Sequence, residues 1–268
     1  MFGFDHFFPP GASPDRPSLE LFATLGAVGA ATSHLGVGTL VTRAQLRPAG
    51  LLATMATDLD RLTGGRLILG VGTGDPIDDP EHHAFGLATL GREERRAHLE
   101  ETVSALKALF RGQRWEGGRH VPAVAGPLAP PPGTEGGPPI WLGAQSDAVI
   151  RLAGRLADGW NGWGLRPDEF GRKAAVLAEA ADEAGRQAEP TWAGIVLVGE
   201  DEEEARRLAD ARRSKGMPDD GLWVGGAERF ASFLGDLEGA GATWAVMVPA
   251  GPADRIEVIG SSVASARR

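Results

Sequence analysis

The chain has 268 residues, 42% of them hydrophobic and 24% charged, the make-up of a globular protein able to bury a sizeable core. Its net charge of −9 argues against nucleic acid or an anionic membrane as partner. Cysteine and tyrosine are absent, which excludes a disulfide framework, a thiolate metal site, a cysteine nucleophile and a tyrosine acid. Proton transfer falls to six histidines or to carboxylates. No run is apolar enough to cross a bilayer and no signal peptide is recognisable, so the expectation is a cytoplasmic protein.

Residues 1–8 (MFGFDHFF) begin as a strand-like segment that ends at Asp5 and His6, and the proline-rich residues 9–17 read as a loop. Ser18 is a predicted N-cap for a helix with Leu19, Phe22 and Leu25 on one face. Residues 35–42 (LGVGTLVT) form a second predicted strand. Pro48 suits the first turn of a helix on which Leu52, Met55, Leu59 and Leu62 recur at helical spacing. Gly64 and Gly65 end it, and residues 66–75 (RLILGVGTGD) follow.

The apolar run Leu67, Ile68, Leu69 has the pattern of a strand buried on both faces. After it Gly70, Gly72 and Gly74 alternate, a spacing that would let backbone N–H groups approach a phosphate closely. The competing interpretation is a strand ending in a flexible turn. Residues 75–91 read as a loop over the ligand site, and residues 92–111 as a long helix. Residues 112–139 hold seven prolines and must be irregular, yet are too short for a separate domain.

Residues 139–143 (PIWLG) are the next predicted strand, and Ser146 can cap the helix after it. Residues 158–164 (DGWNGWG) give a short strand, and Pro167 opens a helix that stops at Gly185. Residues 191–198 (TWAGIVLV) form a strand, and the acidic residues 201–204 start the following helix, where negative charge meets the positive end of the dipole. A helix over 228–238 and a last strand over 242–248 complete the pattern. Strand and helix alternate throughout, which implies a parallel sheet with right-handed crossovers; at this length a TIM (β/α)8-type barrel is the natural closure. Seven strands are predicted where a full barrel has eight.

Residues 57–74 (TDLDRLTGGRLILGVGTG) resemble the luciferase-like flavin monooxygenase superfamily, and most of all its branch using the deazaflavin coenzyme F420. Asp5-His6-Phe7, LGVGTLVT with RPA after it, PPIWLGAQS, RLAGRLADGWN and GGAERF agree in the same order, so the resemblance spans nearly all of residues 1–268, a single luciferase-like domain. It implies an α/β barrel with the cofactor at the C-terminal mouth. Asp5 and His6 would end a strand beneath the ring. Thr39, Leu40 and Val41 match a bulge where the family has a non-proline cis peptide supporting one ring face. Gly72, Thr73 and Gly74 match the turn near the cofactor tail and ring edge. Gly143, Ala144, Gln145 and Ser146 match the turn that holds the cofactor phosphate at a helix N-terminus. Asp75 matches a catalytic glutamate of the sugar-phosphate dehydrogenase branch, one methylene shorter. Pro10 stands near where that branch has an aromatic residue, so the substrate does not carry over. The family also has a strand and helix ahead of the Asp-His strand, which implies a late start codon, two unpaired edges, or closure through a partner subunit.

His6 is the expected acid/base, since histidine titrates near the working range and sits beside Asp5 at a strand end; the bland alternative is a satisfied buried histidine. Asp75 is the second catalytic candidate, though it could simply cap the turn before Pro76. Phe8 and Trp163 are candidates to line a substrate pocket. His82 and His83 lie in an acidic loop, but adjacent histidines point apart and no metal triad follows, so no metal is expected. GxGxxG spacing fails because the third glycine falls one position early, which excludes a dinucleotide fold. The expected function is F420-dependent hydride transfer to or from a small organic substrate in a homodimer. An FMN monooxygenase, a non-catalytic flavin-binding relative and a cofactor-free enzyme on a phosphorylated metabolite are the alternatives.

Overall fold

The computed structural model describes residues 1–8, 18–75, 79–217, 219 and 221–266. The predicted loop over 9–17, Pro10 and Pro76 lie outside them. The chain divides into two compact units, Met1–Gly143 with Arg155–Gly159 and Ala144–Gly154 with Trp160–Arg268.

In the first unit the order is β1 (Phe2–Gly3), α1 (Leu21–Ala31), β2 (Val37–Arg43), α2 (Ala49–Leu62), β3 (Leu67–Gly72), α3 (Asp79–Ala84), α4 (Arg92–Phe110) and β4 (Ile140–Gly143). The strands pair in parallel as β1-β2-β3-β4. Leu67, Leu69 and Val71 of β3 are buried, as their uninterrupted apolar run requires, against Leu52, Ala53 and Ala56 of α2 and Leu99, Val103 and Leu106 of α4 in the core of this unit. The register of β2 against β3 shifts between Thr39 and Thr42, and the Leu40–Val41 peptide bond is cis.

Two sequence expectations change here, and a third, the irregular run over 112–139, holds. The loop over 75–91 contains α3. Ser18 does not cap α1: Glu20 is the N-cap, accepting from the Ala23 N–H at 2.7 Å, while the Ser18 hydroxyl donates to the His6 carbonyl at 2.9 Å. The irregular residues 112–139 are held down by two carboxylates, buried Asp60 and half-buried Glu101. Asp60 of α2 accepts from the Thr134 N–H and hydroxyl at 2.7 and 2.9 Å. Glu101 of α4 accepts from the N–H groups of Arg119, His120 and Val121.

α5 (Asp147–Leu156) and β5 (Gly159–Trp163) follow, then α6 (Pro167–Glu183), β6 (Glu189–Gly199), α7 (Glu202–Arg213), β7 (Leu222–Gly226), α8 (Ala227–Gly239), β8 (Trp244–Pro249) and α9 (Arg255–Ala266). In the second unit β6 pairs in parallel with both β7 and β8. Its core is aromatic: Trp160 stacks on Phe170 at 5.1 Å, and Trp192 meets Phe233 edge-on at 5.4 Å. β7 is the strand that sequence reading missed, since LWVGG is short and ends in two glycines. α9 was missed as well. Asp201 caps α7 by accepting from the Glu204 N–H at 2.8 Å, so the acidic cluster starts this helix as expected.

Apolar edge surface is exposed in each unit. Met1 and Phe4 flank β1 at 46% exposure each, and Trp244 of β8 is 46% exposed.

Candidate functional site

In the first unit the end of β1 carries a cluster of charges buried beside the β2 bulge. Asp5 is 2% exposed and accepts from the Thr42 hydroxyl and from both arms of Arg47, at 2.5 Å on Oδ2 and 3.2 Å on Oδ1. Arg47 reaches on to Glu20 at 2.7 Å and lies over the Phe22 ring, 4.8 Å from its centroid. Burial draws the Arg47 guanidinium down, but the hydrogen bonds and charges of Asp5 and Glu20 outweigh that and hold it above its ordinary value. Asp5 is therefore an anchor that fixes the β1 end to β2 through Thr42 and to Arg47 beyond it.

His6, next along, is turned to a different carboxylate. Its Nδ1 lies 2.9 Å from Glu81 Oε2, and the Phe7 N–H donates to Glu81 Oε1. Arg43, the last residue of β2, contacts the same Oε2 at 2.9 Å through Nη2 and donates to the Asp5 carbonyl at 3.2 Å. Glu81 and Arg43 side chains are each 4% exposed, the His6 side chain 20%. Sequence reading missed both Glu81 and Arg43. Glu81 counted only as part of an acidic loop, and Arg43 fell one residue beyond the predicted strand over 35–42; the available signal was a cation directly after an apolar strand.

The glycines of β3 and β4 answer mainly to packing. A Cβ on Gly70 would lie 2.2 Å from the Thr39 carbonyl oxygen, one on Gly72 2.6 Å from Val41 Cγ2, and one on Gly143 2.9 Å from Val41 Cγ1. The room they leave is taken up by the β2 bulge, a packing demand that the phosphate-cradle expectation did not include. Gly74, at φ +70°, supplies a turn that a residue with a side chain rarely adopts. Thr39 is fully buried and its hydroxyl donates to the Gly70 carbonyl at 2.6 Å, while Leu40 is buried and Val41 half-buried. Thr73 is half-buried, and its carbonyl accepts from Gln45 Nε2 at 3.2 Å. Asp75 is exposed. Phe8 is buried and its ring lies 6.5 Å from Phe85, which also meets Phe7 at 4.4 Å. His82 turns its Nδ1 to the Ala88 carbonyl at 3.2 Å, and His83 is exposed.

The second unit carries the turn over residues 144–146 at the start of α5. The Ala144 N–H donates to the Asn161 carbonyl, so it is committed to the fold. The Val149 and Ile150 N–H groups both donate to the Ser146 carbonyl at 3.0 Å, and a helix start of this kind points its earliest amides toward an anion. Lys173 of α6 sits against this turn, 2.6 Å from the Gln145 carbonyl and 3.4 Å from Asp147 Oδ1. Sequence reading missed it, because nothing local links α6 to that turn. Gln145 Nε2 donates to the Trp163 carbonyl at 3.3 Å, which brings those two predicted residues together. Within the second unit, a cation beside a helix start suits a phosphate group.

Solved structures share the fold. An F420-dependent secondary alcohol dehydrogenase in complex with an F420-acetone adduct superposes with a TM-score of 0.85 over 100% of this chain and 89% of that one, at 17% identity. An uncharacterized protein of Mycobacterium tuberculosis is 31% identical over 205 residues, 76% of this chain and 67% of the relative. The F420-dependent glucose-6-phosphate dehydrogenase of Nakamurella multipartita is 37% identical over 139 residues, 51% of this chain and 39% of that protein. The family profile described as luciferase-like monooxygenase matches residues 2–261. The chain belongs to the luciferase-like monooxygenase family, and with it to the oxidoreductases.

Proposed function

We propose that this chain is an F420-dependent oxidoreductase that passes a hydride between the deazaflavin and a small organic substrate, with His6 as the acid/base. The observation that carries the reading is the His6 ring, held 2.9 Å from a buried carboxylate at the strand end beside the Leu40–Val41 bulge. When bound, the deazaflavin supplies the hydride donor or acceptor. In the first unit Val41 and Leu40 are proposed ring contacts and Gly72, Thr73 and Gly74 edge and tail contacts; the turn from Gly143 to Ser146, with Lys173 of the second unit, is a proposed phosphate contact. Asp5 anchors the strand end so that His6 keeps its place. A partly exposed histidine can take or give the substrate proton, a role worth about 10²–10⁴-fold in rate. Phe8 and Trp163 are proposed to shape the substrate space, and Asp75 is the second proton-handling candidate.

FMN is the second reading, favoured by the family's own description as a monooxygenase. Such an enzyme takes reduced flavin from a partner and reacts with oxygen. The test of His6 is a panel of alcohols, enones and sugar phosphates with F420 and the His6→Asn variant. The expected result is unchanged F420 affinity with turnover lowered about 10²–10⁴-fold. Equal turnover in variant and parent would overturn the acid/base role.

A further inference from the structure

Glu81 is not explained by the fold alone. Its carboxylate is almost wholly removed from water, and both of its oxygens are engaged by groups around His6: Oε1 by the Phe7 N–H, Oε2 by His6 Nδ1 and by Arg43 Nη2, each at 2.9 Å. Arg43 cannot lose its proton under any working condition. A carboxylate gripped by a guanidinium and a backbone N–H is an acceptor only. The His6 nitrogen facing it must therefore be the donor. In the neutral imidazole that places the proton on Nδ1 and the lone pair on Nε2.

We infer that Glu81 is the positioning residue for His6: it fixes the ring orientation and the Nδ1–H tautomer, so that Nε2 is the nitrogen that exchanges a proton with substrate. The inference rests on the acid/base reading of His6 for its functional part, and on geometry alone for the tautomer. Arg43 gives the arrangement its direction. Its Nη2 and the Phe7 N–H take up acceptor positions of Glu81, so the carboxylate meets His6 Nδ1 as an acceptor. Asp5, the residue before His6, is turned instead to Thr42 and Arg47. Glu81 comes from α3, 75 residues beyond His6, so the segment after β3 sets the chemistry of the β1 end.

The test uses the full chain labelled with ¹⁵N-histidine, with the His6 resonances assigned by their loss in His6→Asn. In the parent, at alkaline pH, His6 is expected to show the Nδ1–H signature with an unprotonated Nε2. In Glu81→Gln the amide can donate as well as accept, and the signature is expected to shift toward the Nε2–H form common for free imidazole. With F420 and an active substrate, Glu81→Gln is expected to lower kcat about 10²–10³-fold, short of the ~10⁴-fold seen when a histidine's orienting carboxylate is lost in a triad. KM and F420 affinity should stay within about twofold, and Glu81→Asp should recover part of the loss. A parent His6 protonated on Nε2 would overturn the inference without any variant. So would a Glu81→Gln protein with an unchanged His6 spectrum, or with kcat within twofold of the parent. Should His6→Asn turn over like the parent, the acid/base reading fails on its own, and the spectrum still decides the tautomer.

Discussion

Around His6, the side chains of Asp5, Arg43, Arg47 and Glu81 are all at least nine-tenths buried, whereas the second unit keeps most of its ion pairs at the surface, as with Arg151 and Glu179 at 43% and 57% exposure. Among the described residues the second unit's one deeply buried cation, Arg255, is 6% exposed but pairs with Glu204 and Asp254, which are 26% and 63% exposed. Removing a charge from water costs several kcal/mol, and a mutual pairing offsets that only with good geometry. Surface pairs carry little of that cost and little benefit. Buried titratable groups gathered at one strand end therefore mark a place where something besides stability is at stake. The second unit instead devotes its interior to aromatic stacking.

That contrast can be broken by substitution. The largest effect is expected for Asp5→Ala, which leaves buried Arg47 with the exposed carboxylate of Glu20 in place of a buried one; removing one partner of a buried pair costs about 3–5 kcal/mol. Urea unfolding measures it, and a loss below about 1 kcal/mol would show that water reaches Arg47 in the folded protein. Arg255→Gln should cost less, about 1–2 kcal/mol, because the carboxylates it leaves are partly solvated. The same urea titration ranks the two, and the reverse order would contradict the comparison.

Glu101 offers a test by pH. Burial alone would raise its carboxyl, but the N–H groups of His120, Val121 and Arg119 outweigh that and hold it below the usual carboxylate range. A lowered value in the folded state means stability that is present at neutral pH and is lost as pH falls through that value. Glu101→Gln should therefore melt about 2–4 °C below the parent at neutral pH, and the gap should close as acid protonates the parent. A gap that stays constant with pH would contradict the sign. The smallest effect belongs to Arg213→Ala. Its partners Asp210 and Asp219 are exposed, and no measurable change in Tm is expected.

Local pattern made the frame legible. The β3 run, the proline at the start of α6 and the acidic start of α7 each follow from a local physical rule, and the structure has all three. β7 was hidden because LWVGG is too short to show a period. α3 was hidden between the glycine turn and Gly86, with its two histidines suggesting ligand rather than helix. Of the site, Asp5 and His6 were visible as polar residues ending an apolar strand. Glu81 and Arg43 were not, because their roles arise from a contact between residues 75 positions apart in the first case and 38 in the second, which no local rule encodes. The glycines of β3 were visible, but the packing demand on them was not: the group that needs their room is Val41 of the neighbouring strand.

The central claim is the pairing of this chain with a deazaflavin. Its most direct test is to titrate the purified protein separately with F420 and with FMN and follow each cofactor's fluorescence. The account predicts saturable F420 binding, weakened by a Lys173→Ala substitution at the phosphate turn, and little FMN binding. Tight binding of FMN with none of F420 would contradict it.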